Sequence, residues 1–126
     1  MGYESRIIVA RIGELDLRSG DKEKYCVKLA EMWMSRCGNF VDIFEKPIDF
    51  ELYGDGFEMS SDEEYKMTED CYGKRCCYAD MQTVIDWLEK AEAAEHYRRF
   101  TPAIAMLKAY AAEEWDGELV VIHYGY

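Results

Sequence analysis

Hydrophobic periodicity changes along this chain in an order that excludes strict alternation of strand and helix, and that order limits the folds open to it. The run Arg6–Ile12 is short, rich in β-branched residues and bounded by Gly13, which predicts a strand. From Asp21 onward Tyr25, Cys26, Leu29, Ala30, Trp33 and Cys37 recur as on one face of a helix, with Ser19 or Asp21 as cap and Gly38 as its end. Ile48, Phe50 and Leu52 then alternate with Asp49, Glu51 and Tyr53, the pattern of a strand with one buried and one acidic face. Gly54-Asp55-Gly56 is a turn signal leading into Phe57–Met59 as a returning strand, and a shorter hairpin is expected where Tyr65–Asp70 and Arg75–Tyr78 flank Tyr72-Gly73-Lys74.

Asp80 precedes Met81, Val84, Ile85 and Leu88, which fall on one helical stripe. Thr101 as cap and Pro102 in the first turn start a last helix with Ile104, Leu107, Ala111 and Trp115 on its inner face, closed by Asp116-Gly117. Leu119–Tyr124 is a final strand. This order predicts an α+β fold, with about three helices packed on one face of a mainly antiparallel sheet. With 126 residues, 49% of them hydrophobic, the chain can bury a core of its own and reads as a single domain, 1–126.

Charge is distributed unevenly. The formal net charge is −11, and residues 41–70 hold eleven acidic side chains against two basic ones. The candidate partner-binding residues are Asp42, Glu45, Asp49, Glu51, Asp55, Glu58, Asp62, Glu63 and Glu64. Such a surface repels phosphate backbones and anionic membranes, so neither nucleic acid nor membrane is expected as a direct ligand. It suits a basic protein, in particular one whose groove otherwise holds nucleic acid. Alternate residues of one strand lie about 7 Å apart, whereas a DNA strand carries a charge every ~3.4 Å of axis, so imitation of a phosphate track needs two strands and a loop. A solvated hairpin whose charges protect an edge strand accounts for the same pattern.

No run reaches the roughly 18 apolar residues of a membrane span, and the start lacks the features of an export signal, which predicts a cytoplasmic protein. Five cysteines then read as reduced thiols or metal ligands. Cys71, Cys76 and Cys77 lie close together across a turn and could supply zinc ligands, with His96, His123 or Cys37 arriving from elsewhere. Strand-like backbone would point Cys76 and Cys77 to opposite faces, so not all of these residues need bind. A structural zinc is the cofactor this cluster suggests, while a partly buried, hydrogen-bonded imidazole is the commoner fate of a histidine placed like His123. No nucleophile motif or paired catalytic carboxylate is legible, and no catalytic residue is assigned.

Met1-Gly2-Tyr3-Glu4-Ser5-Arg6, Thr68-Glu69-Asp70-Cys71-Tyr72-Gly73, His96-Tyr97-Arg98-Arg99 and His123-Tyr124-Gly125-Tyr126 together resemble a group of small phage and prophage proteins of Gram-positive bacteria. The resemblance spans nearly the whole chain, and it transfers no catalytic residue because the group has no assigned activity. In size and charge the chain is also similar to anti-CRISPR inhibitors of type II effector nucleases, which hold guide and target in positively charged channels. The resemblance implies a phage counter-defence protein that binds such a nuclease and blocks nucleic-acid loading or cleavage. A small zinc-dependent or Cys/His hydrolase is the alternative.

Overall fold

The computed structural model describes residues 4–16, 18–20, 22–35, 39–48, 51–53, 75–94 and 98–125. They form an α+β fold: strands β1 (Glu4–Asp16), β2 (Lys22–Ser35), β3 (Lys46–Pro47), β4 (Glu51–Tyr53), β5 (Cys77–Asp80) and β6 (Glu118–Gly125), and helices α1 (Met81–Ala94) and α2 (Thr101–Ala111). A single 3-10 turn, Phe40–Ile43, precedes β3. The sheet runs β3-β5-β6-β1-β2-β4 and is antiparallel throughout except for the parallel β2/β4 pair. The described residues thus hold two α-helices where about three were expected.

The missing helix is β2. The segment that repeats with helical spacing pairs along its whole length with β1, Ile7 opposite Met32 and Ile12 opposite Cys26. The spacing misleads because the ladder shifts between Val9 and Ala10, which face Ala30 and Lys28 and leave Leu29 as an extra residue. Such a bulge resets a strand's two-residue period. Cys26 therefore joins one side of the sheet, while Ala30 and Met32 pack on the other. Two alternating stripes offset in this way imitate steps of three and four. Lys28, Leu29, Ala30, Glu31 and Met32 are also good helix formers, a weak preference that sheet pairing overrides.

Both sheet faces are buried. On one side Ile7, Val9 and Val121 meet Leu88 of α1 and Leu107 of α2. On the other, Ile8, Ala10, Val120, Ile122 and Tyr124 cluster with Ile48 and Cys76. Adjacent residues of one strand serve opposite cores, which explains the nearly unbroken apolar runs in β1 and β6. The helices lie on a single face, as expected.

Asp80 starts α1 by accepting hydrogen bonds from the Thr83 amide (3.1 Å) and hydroxyl (2.9 Å). Burial works against its ionisation, but these bonds and the charge of Lys46 outweigh it and hold the carboxyl below the ordinary carboxylate range. The start of α2 differs from expectation. Its N-cap is Phe100, and the Thr101 hydroxyl donates to Glu92 of α1, tying the two helices instead of capping one. Helix α2 ends at Ala111, and Trp115 lies beyond it, stacked on Tyr110 and donating its indole N–H to the Tyr110 carbonyl at 2.8 Å. Gly117 turns the chain into β6 at φ +93°, where a Cβ would stand 2.1 Å from the Ile12 carbonyl oxygen.

Candidate functional site

Of the acidic residues singled out by sequence, Asp42 sits in the 3-10 turn and Glu45 in the following loop, both exposed. Glu51 belongs to β4, opposite Tyr25 of β2. Asp49, Asp55, Glu58, Asp62, Glu63 and Glu64 lie outside the described residues. A second acidic segment escaped the sequence reading. Glu113, Glu114 and Asp116 on the connection from α2 to β6 and Glu118 at the start of β6 are all exposed. The signal was available in the spacing, but counting charge over residues 41–70 against the rest averaged it away.

The thiols and imidazoles divide. Cys37, Cys71 and His96 lie outside the described residues. Cys76 is buried in the cluster with Ile48 and Tyr124, whereas Cys77 packs on the helix side, its thiol donating to the Arg75 carbonyl at 3.7 Å. These neighbours point to opposite faces of the sheet, as strand alternation requires. Cys77 faces His123 across the β5/β6 ladder. His123 is 5% exposed, its Nε2 hydrogen-bonded to the Ser5 hydroxyl at 2.8 Å and its ring against those of Phe44 and Phe40. Among the described residues no three His, Cys, Asp or Glu side chains are grouped to hold a metal ion. Cys26, buried beside Ile12, has its thiol pushed up to about 12 by desolvation, against a smaller opposing pull from Arg11. A thiol held in that state is a packing group, not a nucleophile.

Two concave surfaces flank α2. One is a groove of about 600 Å³ between the helices, lined by Glu89, Glu92, Arg98, Thr101 and Lys108. Two pairs of its polar groups interact across it, Lys108 with Glu89 at 3.0 Å and Thr101 with Glu92. The other is a more enclosed pocket of about 260 Å³, where Met32, Trp33 and Met34 of β2 meet Phe100, Pro102 and Ala103 at the start of α2. Arg99 also lines it and lies over the Phe100 ring, 4.6 Å from its centroid.

Trp33 is 48% exposed, the one large hydrophobic side chain so placed among the described residues. The Arg6 guanidinium lies over its ring at 5.4 Å and near that of Tyr124 at 5.8 Å. Arg6 also pairs with Glu31, which Lys28 contacts at 3.0 Å. Partial burial opposes ionisation of Glu31, yet the bonds and charges of Lys28 and Arg6 prevail and hold its carboxyl below the usual range. This constellation was missed because it joins β1, β2 and the start of α2, and the sequence pattern had assigned β2 to a helix. Among the described residues no helix is long and apolar enough to cross a membrane. Comparison of the chain with known protein families, curated proteins and solved structures finds no match.

Proposed function

We propose that the protein is a phage counter-defence inhibitor that acts by binding a basic, nucleic-acid-handling host protein, with a type II CRISPR nuclease as the target the resemblance implies. The segregation of acidic side chains carries this reading: eleven within residues 41–70, of which Asp42 and Glu45 stand on exposed backbone beside β3. Carboxylates presented this way complement a channel lined with arginine and lysine, accelerate encounter with it and compete with phosphate for it. Glu113, Glu114, Asp116 and Glu118 add a second exposed acidic stretch.

The His123 imidazole and the Cys76 thiol are buried among apolar side chains, an environment that does not favour the hydrolase alternative. In the inhibitor reading a zinc ion is structural. Cys77 and His123 share a face and could contribute to it, and Cys71 and His96 are the remaining candidates. Metal content of tag-free protein, compared with that of Cys71→Ser, tests this point directly.

Binding to a purified type II nuclease, with and without guide RNA, tests the function. Reversing Asp49, Glu51 and Asp55 to lysine is expected to weaken association by about tenfold or more at low salt, with circular dichroism as the check that the fold is kept. Raising the salt should shrink the difference. An affinity indifferent to both the reversal and the salt would remove the acidic surface from the mechanism.

A further inference from the structure

We propose that β3 and β4 together form a strap that closes the sheet into a barrel around the second core, and that this strap parts before the rest of the fold unfolds. The first reason is chain length. β3 and β4 lie at opposite ends of the strand order, yet only Ile48, Asp49 and Phe50 separate Pro47 from Glu51 in sequence. Four residue steps span at most about 14 Å, whereas five inter-strand spacings in an open sheet amount to about 24 Å. Register widens the gap. The row from Pro47 runs through Cys77, His123 and Ile7 to Met32, well beyond Tyr25, where Glu51 sits beside β2. The sheet therefore curls until its edges meet, with the stagger between rows that closure of a barrel requires.

The second reason is burial. Both helices pack on one face of the sheet, yet on the other Ile8, Ala10, Cys26, Ile48 and Val120 are 0% exposed. A sheet closed on itself turns alternate residues of its strands inward and buries them against one another without a helix on that side.

The third reason is how the strap is held. β1 pairs with β2 from Glu4 to Asp16 and with β6 from Ser5 to Ile12, whereas among the described residues the strap pairs with β5 at Lys46 and Pro47 and with β2 at Tyr25–Val27. Pro47 has no N–H to donate. Beyond it the Ile48 amide donates to the Cys76 carbonyl at 3.0 Å, and Arg75 Nε donates to the Ile48 carbonyl at 2.7 Å. Short ladders beside long ones mark a unit of low local stability. A thiol stands on each side of the strap, Cys76 beside Ile48 and Cys26 opposite Leu52, 3% and 0% exposed. Parting the strap uncovers both, whatever the protein binds.

Iodoacetamide labelling of the full chain, with Cys26 and Cys76 followed separately by peptide mass spectrometry, tests the strap. Both thiols are expected to react faster than global unfolding allows, that limit being set by stability and unfolding rates measured through tryptophan fluorescence in denaturant. Arg75→Ala, which removes the tie to Ile48, should speed their labelling about tenfold. Pro47→Cys sets a thiol opposite the native Cys77, and oxidation to the cross-link should slow labelling of Cys26 and Cys76 about tenfold or more relative to the same protein reduced. Labelling no faster than global unfolding allows, labelling that either change leaves untouched, or failure of the cross-link to form overturns the proposal.

Discussion

The two faces of the sheet are built from the same strands by different means. On the helix side, residues from β1, β5 and β6 meet two helices whose apolar stripes supply much of the opposing surface, and the rings of Phe40 and Phe44 pack on His123, with Trp87 against Phe40. On the other side, β-branched and small residues from neighbouring strands pack with Ile48, Cys76 and Tyr124, and the periphery carries the ionic group of Arg6, Glu31 and Lys28. A core made by helices docking on strands announces itself in sequence through a change of period. A second core made from the alternate residues of those strands does not, because it only converts an alternating pattern into a continuous one.

The comparison can be broken most directly at Leu88, which is fully buried where α1 meets the sheet. Leu88→Ala is expected to lower unfolding stability by about 2–5 kcal/mol in chemical denaturation, through lost transfer energy and the cavity left behind. A loss below about 1 kcal/mol would mean that the helix layer contributes little to holding the sheet. A finer test uses adjacent residues. Ile7 and Ile8 are both 0% exposed but face opposite cores. Ile7→Val and Ile8→Val should each cost about 0.5–1.5 kcal/mol, and a near-zero cost for Ile8→Val alone would show the second core to be loosely packed.

The smallest expected effect concerns acid. Asp80 at the start of α1 and Glu31 on the opposite face both have carboxyls held below the ordinary range. A group whose folded pKa is depressed stabilises the fold above its unfolded value, near 4, and loses that contribution as the pH falls through the folded value. Melting temperatures of Asp80→Asn and Glu31→Gln should therefore fall less steeply than that of the parent below about pH 4. Both carboxylates are largely solvated, so the change is modest. Parallel curves for parent and variants would show that neither interaction contributes to stability in solution.

Much of the helix side was legible in the sequence. Arg6–Ile12 and Leu119–Tyr124 fall within β1 and β6, and the stripe of Met81, Val84, Ile85 and Leu88 behind Asp80 is a buried helix face with the expected cap. The assignment failed at β2, where an unpaired residue at Leu29 shifts the alternation and helix-forming side chains strengthen the false period. It failed at Thr101 because a hydroxyl that commonly caps its own helix can instead bond a neighbouring one. His123 is hydrogen-bonded as expected but more deeply buried than the partly buried imidazole expected, and the opposed orientation of Cys76 and Cys77 followed from strand alternation. The pocket at Trp33 and Arg99 did not, since it depends on two segments 66 positions apart meeting at one corner of the fold.

Ser5 faces Gly125 across the ladder between β1 and β6, the two central strands of the sheet. A tensile load applied at these two points enters the same end of an antiparallel pair, so it peels the strands apart and opens their hydrogen bonds in succession. Shearing, in which many bonds must fail together, would need the load at opposite ends of the ladder. The centre of the sheet is thus its best-buried part and, along this one direction of pull, a zipper that gives way at its first tooth.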